Sequence, residues 1–243
     1  MFAIFTKELS SFFSSLTGYL VAVVFFALTG LFMWVFPGAL NVLDSGYATL
    51  DPLFTIAPWV FLFLVPAVTM RSFSEEKKTG TIELILTRPI SDLQLVMGKL
   101  LAAIALVVVL LVPTLIYFAS VYALGSPVGN IDTGGTWGSF IGLLCLAMAY
   151  ASIGVFTSST TDNQIVAFIM AVVLCLLAYS GIIRVGQLGI FAKAQYLLTS
   201  ISIEEHYSAM SRGVIDTRDL AYFAAICAIF VALTRTALES RKW

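Results

Sequence analysis

The sequence predicts an all-α, polytopic membrane protein. It should have six transmembrane helices, an N-terminal amphipathic interfacial helix, a cytoplasmic segment after span two, and re-entrant or interfacial elements between spans five and six. Three observations predict this. Sixty per cent of the 243 residues are hydrophobic and 11 per cent charged, with a mean hydropathy of +0.99, whereas a soluble domain is nearer half apolar and a quarter charged. Six apolar runs approach the length of about 20 residues that a spanning helix needs. The basic residues also fall unevenly between alternate connections.

The spans are read at 18–36, 54–70, 100–124, 138–156, 165–183 and 220–238. The first five hold no Asp, Glu, Lys, Arg or His, and the sixth only Arg235 near its end, where a long side chain reaches the headgroups. Continuous runs argue against a barrel, whose strands alternate. With the N-terminus inside, the cytoplasmic side receives Lys7, Arg71, Lys77, Lys78, Arg88, Lys99, Arg235, Arg241 and Lys242. The other side receives Arg184, Lys193, Arg212 and Arg218. The positive-inside rule then puts both termini in the cytoplasm.

Residues 1–16 repeat large apolar side chains at steps of three and four: Phe2, Phe5, Leu9, Phe12, Phe13 and Leu16, with Lys7, Glu8, Ser11 and Ser15 off that stripe. This is the pattern of a helix lying in the headgroup region. The segment lacks the basic start, apolar middle and small-residue cleavage site of a leader, so it is expected to be retained.

Segment 71–99 concentrates the charge. Ser72 with Glu75 fits a capping box, and Gly80 can end a short helix over 73–79. Ile82, Leu84, Ile85 and Leu86 supply apolar surface, Pro89 breaks the path, and Ser91 with Gln94 opens a helix running into span three. The outer segment 186–219 mixes Phe191, Tyr196, Leu198 and Ile203 with Glu204, Glu205, His206 and Arg212. It is expected to fold back onto the membrane or dip into it.

Several chemistries are excluded. His206 is the only histidine, so no metal site can be assembled around it, and a loop-packing role is expected. Cys145, Cys175 and Cys227 lie in apolar runs without paired spacing and read as small hydrophobes. No GxSxG, HExxH or GxxxxGK[ST] occurs, so neither catalysis nor ATP hydrolysis is expected of this chain. Ion-driven carriers keep charges within the membrane, and these spans have none. Pro58, Pro66 and Pro113 fall inside helices. Pro113 is expected to kink span three beside a cavity, as a packing bend or a hinge. Gly138, Gly142, Ala147, Ala151 and Gly154 on span four allow close helix approach.

The run "EEKKTGTIELILTRPIS…L…GKLLA" (Glu75 to Ala102) resembles the cytoplasmic signature of ABC-2-type transporter permeases. "GYLVAVVFFALTGLFMWVF", "HYSAMSRGVIDTRDLAYF" and "LESRKW" resemble the gliding-motility-associated branch, with copper-site maturation permeases as near relatives. The resemblance implies a permease of the bacterial inner membrane, working as a homo- or heterodimer, surrounded by membrane lipid and without nucleic acid. A separate ABC ATPase subunit would carry ATP and Mg, and this chain would bind no cofactor or metal directly. It implies export, and an ATPase contact on Glu75, Glu76, Lys77, Lys78, Gly80, Thr81, Glu83, Arg88 and Pro89, with Asp162 in a second cytoplasmic contact. A motility-complex scaffold without substrate flux is the alternative.

Overall fold

The computed structural model describes residues 1–86, 90–187 and 195–240. Arg88 and Pro89 of the expected contact lie outside these residues, as do Arg241, Lys242 and Lys193. The regular elements among them are all helical. In chain order they are α1 (Phe2–Phe13), α2 (Leu16–Trp34), α3 (Val42–Ser45), α4 (Asp51–Thr69), α5 (Arg71–Lys78), α6 (Thr81–Leu86) and α7 (Asp92–Leu111). There follow α8 (Leu115–Leu124), α9 (Thr133–Thr160), α10 (Gln164–Leu176), α11 (Ile182–Gly186), α12 (Gln195–Ile201), α13 (Ile203–Met210) and α14 (Thr217–Glu239).

Six rods are long and apolar enough to cross a membrane: 16–34, 51–78, 92–124, 133–160, 164–186 and 217–239. The last five each cover an expected apolar run, whereas the first begins at Leu16 and ends at Trp34, two residues short of the expected 18–36, and most extend into polar termini with their own caps. Ser15, Asn163 and Asp216 side chains accept backbone N–H groups at the starts of α2, α10 and α14. Ser91 and Gln94 form a reciprocal capping box that opens α7, which satisfies two of the amide groups a helix start leaves without partners.

The central rod is α9, which packs against α4, α7, α10 and α14 and buries Leu143, Leu146, Tyr150 and Ile153. Helices in lipid gain no hydrophobic driving force from meeting, so they associate where small residues allow close approach. Here Gly154 faces Thr69 of α4 so closely that a Cβ would stand 2.0 Å from its hydroxyl oxygen. Gly138 and Gly142 face Gly213 and Met210 in the same way, seating α13 and the turn after it against α9. The Ser139 hydroxyl adds a bond to the Ser211 carbonyl at 2.8 Å. Helices α12 and α13 thus cap one end of the bundle.

Span three changes pitch at a 3₁₀ turn over Val112–Thr114 and continues as α8. Pro113 is the cause, since it has no N–H for the α-helical ladder. Its ring is exposed on the outside of the bundle, which corrects the expectation that it borders a cavity. Span five carries a one-turn π-helix over Leu177–Gly181.

Two further expectations are corrected. Ser72 does not start a helix: α5 follows α4 through Met70 and no side chain caps it. The stripe on α1 also divides. Phe5, Leu9 and Phe12 are half-buried with Ile4 and Glu8, whereas Phe2, Phe13 and Leu16 stay exposed. A flat helix must satisfy both a protein side and a lipid side, so its apolar residues spread over a wider arc than a single contact requires.

Candidate functional site

The charged residues converge at the end of the bundle where α1, α5 and the start of α7 meet. Lys99, about two turns into α7, is buried, with its side chain only 1% exposed. Its ammonium lies 2.8 Å from Glu8 of α1 and 3.0 Å from the Glu76 Oε2 of α5. It also donates to the Ser72 carbonyl and stands 5.0 Å above the Phe73 ring. The Glu76 Oε2 contact is electrostatic, not a directed hydrogen bond. The other oxygen of Glu76 accepts from Lys7 at 3.0 Å. Partial burial opposes the Lys7 charge, but the hydrogen bond to Glu76 and the carboxylates of Glu76, Glu8 and Glu75 outweigh it and raise its pKa above the ordinary lysine value. A buried charge is tolerated only when paired and hydrogen-bonded, and Lys99 meets both conditions by joining three elements.

A second set of bonds ties α5 to the end of α9. The Ser158 hydroxyl accepts from the amides of Phe73 and Ser74 at 2.9 and 3.1 Å and donates to the Met70 carbonyl at 2.9 Å. One hydroxyl group therefore uses two acceptor sites and its proton. It joins the backbone ladder where α4 gives way to α5. Lys77 donates to the Ser159 carbonyl one residue further along. The junction is thus held by span four, and α5 cannot swing without disturbing α9.

Beyond α5 the chain reverses at Gly80, whose φ of +70° suits glycine better than any other residue. Glu75, Lys78, Gly80, Thr81 and Glu83 are exposed along this turn. Lys77 is half-buried on the Ser159 carbonyl. Glu76, expected on the same surface, is buried inward against Lys99, so it is not available to an outside partner. Asp162 is exposed in the turn between α9 and α10, close in sequence to Ser158 and Ser159. The structure therefore brings the α5–α6 turn and the end of α9 together through bonded neighbours. Glu8 and Ser158 were not picked out by sequence, and Lys99 was read only as a cytoplasmic cation and as part of the run ending GKLLA. The one signal of the first two was a glutamate and a serine at the edges of apolar runs, which many membrane anchors share.

At the other end of the bundle, His206 Nδ1 lies 2.6 Å from Asp219, its Nε2 3.0 Å from the Ser200 carbonyl, and its ring stacks on Tyr222 at 3.8 Å. These contacts join α12, α13 and α14. Among the described residues no group of three or more His, Cys, Asp or Glu is placed to hold a metal ion. The three cysteines are free.

The sequence pattern of the ABC-2 family transporter protein matches residues 38–235. No curated protein matches the chain.

Proposed function

Because this chain belongs to the ABC-2 family of transporter proteins and is the permease component of an ABC transporter, we propose that it receives its energy at the exposed turn Lys78–Glu83. A separate ATPase subunit docks there and on Asp162, with both sites and both termini on the cytoplasmic side. The observation that carries this proposal is the pair of attachments behind the turn. Helix α5 is bonded to span four through Ser158 and Ser159, and to span three through Lys99.

A push on the turn is then felt by both spans. Closure of two ATPase subunits on ATP would drive the docked turns, and the spans would shift by as much as ATP binding differs between the two conformations. The partner would bring the ATP and Mg, a second permease subunit would complete the pathway, and the direction would be export across the inner membrane. The gliding-motility branch is the narrowest form of this proposal, supported by the runs around Gly18–Phe36 and His206–Phe223.

Co-purification of the ATPase subunit tests the docking surface. Glu83→Arg and Lys78→Glu should release the ATPase while leaving the permease's melting temperature within a degree or two. Retention of a fully stimulated ATPase by both variants would overturn the assignment. A reporter fused after Trp243 should be active only in the cytoplasm, and labelling from outside would refute the topology.

A further inference from the structure

Two cavities share one wall. The first, of about 330 Å³, opens between α1, α5 and α7 and is lined by Lys7, Glu8, Arg71, Glu75, Glu76 and Lys99 among others. The second, of about 660 Å³, is a groove between α2 and α4 with Phe168 of α10 at its side. Its walls include Leu20, Val24, Phe32, Trp59 and Phe63 and carry no charged residue. Both are lined by Ala67, one helical turn before the junction at Met70. A polar chamber and an apolar groove thus share this small residue.

We propose that this composite is a binding site for one membrane phospholipid with a zwitterionic head, its phosphate in the chamber and one acyl chain in the groove. Length supports the chain. From Ala67 to Thr55 the groove follows twelve residues of α4, about 18 Å at the helical rise of about 1.5 Å. Half of a hydrocarbon core of about 30 Å is about 15 Å, so the groove matches a single leaflet.

Charge supports the head. The chamber carries three cations and three carboxylates, so it is neutral overall and disfavours a net anion. Its free ends are not mutually cancelled, however. Lys99 is enclosed by Glu8 and Glu76, whereas Arg71 is exposed and makes no ion pair among the described residues. Arg71 can therefore meet a phosphate, and the exposed Glu75, one turn along α5, can meet an ammonium. A phosphoethanolamine head carries one charge of each sign on neighbouring groups. The site is a property of this chain and does not rest on the transport proposal.

Tryptophan quenching tests it. The full chain, with Trp34, Trp137 and Trp243 replaced by Phe, keeps Trp59 in the groove as the reporter. It is placed in phosphatidylglycerol nanodiscs with a minor fraction of phosphatidylethanolamine or phosphatidylglycerol brominated on the acyl chain. Brominated phosphatidylethanolamine should quench Trp59 severalfold more than its mole fraction predicts, and brominated phosphatidylglycerol should not. Arg71→Gln on the surface and Ala67→Phe at the junction should each return quenching to the statistical level. Quenching at mole fraction with either lipid, or excess quenching unchanged in Arg71→Gln, would overturn the proposal. So would protection of Trp59 from every lipid together with cross-linking of two chains through Val24, which would make the groove a contact between copies.

Discussion

The Tyr207 hydroxyl donates to the Phe54 carbonyl at 2.7 Å, and Phe54 is the residue four positions before Pro58. Proline has no N–H to give to that carbonyl, so the hydroxyl from α13 takes the place of the missing bond in α4. The capping segment is thereby attached to the vacancy that a proline creates in span two. Tyr207→Phe should cost about 1–3 kcal/mol, the usual penalty for leaving a buried carbonyl unpaired. In a Pro58→Ala background the restored amide can serve Phe54, and the same substitution should cost markedly less. Melting of the four proteins in detergent gives the coupling; strictly additive effects would refute the link.

Lys99 gives a prediction with the opposite logic of repair. Lys99→Ala strands Glu8 and Glu76 beside a void, and breaking a buried pair from one side costs about 3–5 kcal/mol. For a chain of this length that is a fall of roughly 10 °C in melting temperature. Adding Glu8→Gln to Lys99→Met should recover much of it, because the carboxylate that has lost its partner is gone and Glu76 still pairs with Lys7. A double variant no more stable than Lys99→Ala would show that packing, and not charge, governs the site.

Removal of the Ser158 hydroxyl should loosen the junction at Met70 without unfolding the protein. In Ser158→Ala the amides of Phe73 and Ser74 lose their acceptor. Their hydrogen exchange should speed up by roughly tenfold, equivalent to about 1.4 kcal/mol and within the range for one buried hydrogen bond. Unchanged protection at both amides would mean that the helix closes its own ladder there.

Gly154→Ala should push α9 away from α4, because the new methyl would overlap the Thr69 hydroxyl, which is itself bonded to the Val65 carbonyl at 2.9 Å. Overpacking of this kind costs about 1–3 kcal/mol. Thr69→Ala removes the obstacle, so the double variant should regain most of the loss. Thermal melting of the single and double variants checks it.

The six rods were legible in the sequence because each is an unbroken apolar run, all but the second with a capping side chain at its start, and both signals are local. The junction between α4 and α5 was not. Ser72 and Glu75 have the spacing of a helix start, but what sits there is a hydroxyl from Ser158, some 85 residues away. The orientation of Glu76 was hidden for a related reason. In a run of four charges, Glu75 to Lys78, composition suggests a solvated face, and only the helical repeat shared with Ser72 and Phe73 turns Glu76 inward. Glu8 was assigned to the polar side of α1, since no local pattern announces a lysine 91 residues later. Exposed members of the charged turn, by contrast, were readable from the glycine that reverses the chain.

The bond between Glu8 and Lys99 also has a bearing on the order of biosynthesis. Helix α1 is made before the spans, yet its carboxylate meets the lysine that holds it only when the ribosome has added some ninety further residues, including two spans. Until then the first helix has a lipid side but no completed protein side. It follows that α1 waits on the membrane surface through the insertion of the first hairpin and docks when the third span arrives, so a helix synthesised before all six spans reaches its final place only after two of them.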